Sequence, residues 1–226
     1  SGRFLAADGD MTLRALGNIG TTTDAFTKDT LVELGSGGLT VQAMGSVSLG
    51  TINNTVLTSL LDVWNLTYAP DSSVTIHSAL GSVILSGNDD FASDDTSSRF
   101  RLLPSSLRIT AAGDIRLTSK GDFTMAPSAT GQLELIAGGD IDGKVGTSTS
   151  YWNSGILMSS ADPASVYGEQ SQEPDLVYGT TPDTPLHYGD TTPVLVTADG
   201  DIAYLSLSVP NKALIKADGE IGDFSY

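Results

Sequence analysis

Cysteine is absent from this 226-residue chain, so no disulfide ties the fold and no thiol can act as a nucleophile or soft-metal ligand. The lack also suits a chain that crosses membranes unfolded and folds outside the cell. Histidine occurs only at His77 and His187, which excludes Cys-His catalysis and argues against a zinc site. Basic residues are scarce as well. Eleven Lys and Arg stand against 27 Asp and Glu, and the resulting net charge of −16 disfavours nucleic acid or an anionic membrane as a partner. The same charge keeps a long, edge-exposing β structure soluble and apart from its copies. No run approaches the roughly 20 apolar residues that span a bilayer, so membrane insertion is not expected, and SGRFLAADGD at the start lacks the basic-then-apolar order of a signal peptide. Aromatics make up only 7% of the chain. What is abundant is glycine, at 25 residues, with Ser, Thr and Asp, a composition for many short strands joined by bends.

The sequence is organised by one recurring heptad: an apolar residue, any residue, Ala or Ser, any residue, Gly, an acidic or small polar residue, an apolar residue. It occurs as LAADGDM from Leu5, VQAMGSV from Val41, ITAAGDI from Ile109, LTSKGDF from Leu117, LIAGGDI from Leu135, VTADGDI from Val196 and IKADGEI from Ile215. HSALGSV from His77 lacks only the first apolar residue. Gaps of 36, 36, 18 and 19 residues between glycines of these copies point to a unit of about 18 residues, seen singly or doubled, the mark of a solenoid. Within ITAAGDIRLTSKGDF, the residues Ile109, Ala111, Ile115, Leu117 and Phe123 alternate with polar ones, the period of strands with one face inward. The Gly-Asp pair reads as a bend, with glycine supplying unusual backbone angles and Asp bonding its local backbone. The alanine before it (Ala7, Ala43, Ala111, Ala137, Ala198, Ala217) is expected to point inward where the coil narrows. Together these predict an all-β, right-handed parallel β-helix of about 18–19 residues per coil, a single segment over 1–226 with lateral insertions near 51–70, 86–106 and 142–193. Because both ends lie inside the repeat pattern, the chain is expected to be part of a longer protein.

The insertions hold most of the unusual residues. VLTSLLDVWNL, from Val56, has apolar spacing that fits a short helix as well as a strand. Asp89, Asp90, Asp94 and Asp95 offer oxygen ligands for calcium, although their spacing matches neither an EF-hand loop nor the calcium-binding nonapeptide repeat, and a solvated acidic loop is the competing account. Arg99 and Arg101 flank Phe100 and can clamp an acidic group or pair with those aspartates. Tyr151, Trp152, Tyr167, Tyr178 and Tyr188 gather in 142–193. There they either present flat faces to a sugar or partner side chain, or pin the insertion to the coil. His77 is expected to face outward from a strand.

The repeats LRITAAGDIRLTSKGD and LIAGGDI, with the run from Tyr188 to Phe224, resemble the haemagglutinin-type repeats of filamentous-haemagglutinin-like exoproteins, large bacterial proteins exported by two-partner secretion. The resemblance implies a shaft segment at the cell surface or released from it, serving adhesion, biofilm cohesion or the stalk of a contact-dependent toxin system. Its partners would be a host or bacterial surface glycan or protein, together with an outer-membrane transporter for the parent protein, and no cofactor. The Asn-Pro-Asn-Leu type motif of the family's secretion domain does not occur here; Val209-Pro210-Asn211-Lys212 differs from it. The alternative is a β-helical polysaccharide lyase or glycoside hydrolase, which needs paired carboxylates across a cleft. Most aspartates instead fall in the Gly-Asp bends (Asp10, Asp114, Asp122, Asp140, Asp201), so no catalytic residue is assigned. A threonine array of the ice-binding kind would be interrupted by outward Arg108, Arg116, Lys120 and Glu134.

Overall fold

The computed structural model describes residues 2–20, 30–54, 64–87, 102–119, 121–146, 149–170 and 182–226. The expected helix over 56–66 falls largely on 55–63, outside these residues, as do Asp89, Asp90, Asp94, Asp95, Arg99, Phe100, Arg101, Lys120 and Tyr178.

Strands visit three faces in a fixed order. The first layer has β1 (Gly2–Ala6) and β2 (Met11–Ala15), and Ile19 bridges onto the third face. The second has β3 (Thr30–Leu34), β4 (Gly38–Ala43) and β5 (Val47–Leu49). In the third layer come β6 (Thr51–Asn54), the lateral β7 (Trp64–Leu66), β8 (Ser73–Ser78) and β9 (Val83–Leu85). The fourth holds β10 (Leu102–Leu103), β11 (Ser106–Ala111) and β12 (Ile115–Leu117); the fifth holds β13 (Asp122–Met125), β14 (Leu133–Ala137) and β15 (Ile141–Asp142). After β16 (Lys144–Gly146) the sixth follows with β17 (Tyr151–Met158), a short helix α1 (Pro163–Val166), β18 (Gly168–Gln170), β19 (Val194–Ala198) and β20 (Ile202–Ala203). The seventh has β21 (Leu205–Ser208), β22 (Ala213–Ala217) and β23 (Ile221–Gly222).

The second face is a seven-stranded sheet in the order β2-β4-β8-β11-β14-β19-β22, and the third is six-stranded, β23-β20-β15-β12-β9-β5. The first face runs as β1-β3-β6 and then β10-β13-β17-β21. All pairings along the three faces are parallel; the antiparallel pairs are β16 with β17 and β7 with β18. The chain is thus all-β with parallel sheets, consistent with a parallel β-helix.

Register explains the core. Val41, Ile76, Ile109, Leu135 and Val196 lie opposite one another on successive strands of the second face, and each is fully buried. Val47, Val83, Ile115, Ile141 and Ile202 do the same on the third. Each such side chain contributes about 1.5–3 kcal/mol by leaving water. Val194, Leu205 and Leu207 are likewise buried, whereas Ile221, the last apolar residue of the final heptad, is 51% exposed. It sits in the seventh layer, and no described strand pairs with the outer edge of β23.

Three stretches expected as insertions supply strands. Thr51–Asn54, Leu102–Leu103 and Tyr151–Met158 all belong to the first face, where Phe123, Ile156 and Leu207 stack in register. The described end of the stretch from Val56, Trp64–Leu66, is strand and pairs with β18.

The glycine copies are not all equivalent. Six of them, together with Leu13–Ile19 (LRALGNI), form the corner between the second and third faces. LAADGDM instead turns from the first face to the second, leaving Ala7 exposed, and Gly121 lies where the third face leads back to the first. At the shared corner a side chain from each layer accepts the backbone N–H of the next. Asn18 Oδ1 accepts from Ser46 at 2.8 Å, Ser46 Oγ from Ser82 at 3.2 Å and Ser82 Oγ from Asp114 at 3.0 Å. Asp114 Oδ1 accepts from Asp140 at 3.0 Å, Asp140 Oδ1 from Asp201 at 2.8 Å and Asp201 Oδ1 from Glu220 at 2.7 Å. These acidic bends therefore bind the layer above rather than their own local backbone. The partners are 28, 36, 32, 26, 61 and 19 residues apart, so only the last step shows the expected coil length and the others carry longer connections.

The corner also shows why glycine is needed. None of Gly45, Gly81, Gly113, Gly139, Gly200 and Gly219 has positive φ. A Cβ at each would collide with the ladder acceptor from the layer before: Asn18 Oδ1 at Gly45, Asp114 Oδ1 at Gly139, Asp140 Oδ1 at Gly200. Gly17, in the first layer, has nothing within 4 Å of that position among the described residues. Gly139→Ala or Gly200→Ala should therefore cost about 1–3 kcal/mol through overpacking, while Gly17→Ala is neutral or slightly stabilising. Urea denaturation midpoints check this; an equal loss at Gly17 would show that backbone angle, not space, sets the glycine.

Candidate functional site

The expected aromatic site is divided by the fold. Tyr151 and Trp152 lead β17 on the β16–β17 hairpin, 44% and 48% exposed, with Trp152 opposite Val145. Tyr204, one layer on, meets Tyr151 edge to face with ring centroids 5.3 Å apart and planes at 80°. Lys144 Nζ lies 4.8 Å from the Tyr151 centroid and 4.4 Å from that of Tyr204, a shared cation-π contact that fixes the hairpin against the next layer. Tyr204 holds φ of 56°, a conformation that non-glycine residues rarely adopt.

Tyr167 has the anchoring role. Its hydroxyl donates to the Pro127 carbonyl at 2.8 Å, and its ring is half-buried against the core beside α1. Asp162 starts that helix as its N-cap, accepting from the Ala164 N–H at 2.9 Å. Tyr68 is fully sequestered with its hydroxyl on the Leu102 carbonyl at 2.8 Å. Burial raises both phenol pKa values well above the ordinary one, and for Tyr68 the nearby Tyr167 adds to the rise.

Tyr188 stands apart from these, 81% exposed, in the turn before β19. The turn 184–190 and the segment 129–132, which connects β13 to β14, enclose an open cleft of about 630 Å³. Tyr188 N–H donates to the Pro185 carbonyl at 3.1 Å and Asp190 N–H to the His187 carbonyl at 3.0 Å. The His187 side chain is almost wholly covered, holds φ of 61° and places Nδ1 3.4 Å from Asp190 Oδ2. Asp190 Oδ1 accepts from Thr192 N–H at 2.9 Å. That bond first, and then the His187 ring with a smaller contribution from the Gln132 side chain, holds the Asp190 carboxyl below the usual carboxylate range. Gln132, Lys144 and Tyr204 are not legible as site residues because their neighbours come from other segments, and the His187–Asp190 pair, though local, belongs to no recognisable sequence pattern.

His77 faces outward between Gln42 and Thr110. Arg108 and Glu134 also point outward and form an ion pair at 2.9 Å. Among the described residues no group of three or more His, Asp or Glu side chains is arranged to hold a metal ion, and no helix is long and apolar enough to cross a membrane. No protein-family model, curated protein or solved structure matches the chain.

Two outcomes follow from these contacts. Asp140→Asn keeps an amide oxygen for the Asp201 N–H, as Asn18 does for Ser46, and should leave stability nearly unchanged, whereas Asp140→Ala should cost about 0.5–1.5 kcal/mol in urea melts. For the phenols, folded pKa values lie above the unfolded value of 10, so their contribution is complete below pH 10 and declines as pH rises past it. The expected slope is up to about 1.4 kcal/mol per pH unit for each phenol. Tyrosinate absorbance during alkaline titration should show Tyr68 and Tyr167 ionising only on unfolding.

Proposed function

We propose that the chain is a right-handed parallel β-helix and that it serves as a structural and binding shaft segment of a large secreted bacterial surface adhesin. Right-handedness follows from the strong preference of connections between parallel strands of one sheet. The observation that carries the reading is the order of the layers: seven times the chain passes first, second and third face, and at one corner each layer is bonded to the next. At about 4.8 Å per strand, such a stack extends roughly 30–35 Å along its axis. Stability in this arrangement is shared between neighbouring layers, so the rod can be extended without enlarging a central core. Of the bend aspartates that a hydrolase would recruit, Asp10, Asp114, Asp140 and Asp201 each accept a backbone N–H of the following layer. The repeat resemblance to filamentous-haemagglutinin-like exoproteins supplies the rest of the proposal: export by two-partner secretion, an extracellular or cell-surface location, and a role in adhesion, biofilm cohesion or a toxin-carrying stalk.

Incubation with a panel of host and bacterial polysaccharides, read by reducing-end and unsaturated-uronate assays, should yield no product. Turnover that survives repurification and disappears on Asp114→Asn or Asp201→Asn would replace the shaft reading with the lyase or hydrolase one.

A further inference from the structure

We propose that the cleft between residues 129–132 and 184–190 is a binding site for a neutral saccharide chain. This deepens the binding half of the adhesin reading and rests on it. Tyr188 offers the exposed aromatic ring, a flat apolar surface with a hydroxyl at its tip that suits the C–H face of a pyranose. Beneath it, Thr130, Gln132 and Thr184 bring hydroxyl and amide groups, and Asp190 brings a carboxylate, a mixture of donors and acceptors that matches sugar hydroxyls. His187 is turned into the protein and tied to Asp190, and among the described residues no lysine or arginine lines the cleft. A carboxylated or phosphorylated ligand would thus face an ionised Asp190 and a chain of net charge −16 without a cation to receive it. The cleft is open rather than enclosed, which suits part of a longer saccharide. Its floor is preorganised: His187 is held at positive φ by a side chain that is almost fully covered, and Asp190 is fixed by Thr192, His187 and Gln132.

The test is titration of the intact chain with maltotriose, cellotriose, galactotriose and trigalacturonate, followed by calorimetry and saturation-transfer NMR. At least one neutral trisaccharide should bind, and trigalacturonate should bind at least tenfold more weakly than the best of them. Tyr188→Ala should weaken that best ligand tenfold or more while Tyr188→Phe retains most of the affinity. Trp152→Ala, on the distant hairpin, should leave it unchanged. Because Tyr188 is exposed, its variants should melt with the wild type, so loss of binding cannot be ascribed to unfolding. Absence of binding to all three neutral sugars, preference for trigalacturonate, or full affinity in Tyr188→Ala would each overturn the site. None of those results bears on the shaft, which is defeated only by turnover.

Discussion

The molecule depends on one steric exchange repeated at one corner. A layer's Asn, Ser or Asp side chain occupies the space where the next layer's Cβ would be, and there it accepts that layer's N–H. Neither half works alone. Without the glycine the acceptor has no room; without the acceptor the corner N–H has no partner from the preceding layer. The aliphatic columns of the second and third faces then follow, because the corner fixes register, and register decides whether Ile109 falls on Ile76 and Leu135 or one residue away with its side chain reversed.

What was legible in the sequence was the local period. Ile109, Ile115, Leu135, Ile141, Val196 and Ile202 alternate with polar neighbours, and all are buried. Which glycine stacks on which was harder to read, since the same short motif turns the chain at more than one corner and the connections between layers vary in length. Spacing pairs Gly9 with Gly45, yet Gly17 is the residue whose carbonyl accepts the Gly45 N–H. Leu13–Ile19 is a further copy of the heptad, with Asn18 where the other copies carry an acid or serine. Tyr151–Met158 lacks the local signature of a strand because its strand character comes from β13 and β21, supplied from layers on either side. The Lys144, Tyr151 and Tyr204 cluster is of the same kind: two layers assemble it, and neither segment alone predicts it.

The surface divides into parts with different duties. Outward positions on the second face carry polar and paired groups such as Thr40, Thr75, Arg108 and Glu134, which keep that face hydrated. The connection between the fifth and sixth layers, and the one that leads into β19 within the sixth, break that uniformity with the hairpin aromatics and the Tyr188 turn. Regular layers can position such excursions rigidly because each rests on strands paired on both edges, while the excursions themselves are free to vary in length.

The ladder changes chemical character along its length. Its first three members, Asn18, Ser46 and Ser82, are neutral, and its last four, Asp114, Asp140, Asp201 and Glu220, are acids spaced one layer apart. Like charges about 5 Å apart in water repel by on the order of 1 kcal/mol per pair, a penalty that dissolved ions reduce. Cohesion is therefore graded along the axis: in dilute buffer the acidic end frays first, and ionic strength sets how far the opening travels toward the neutral end.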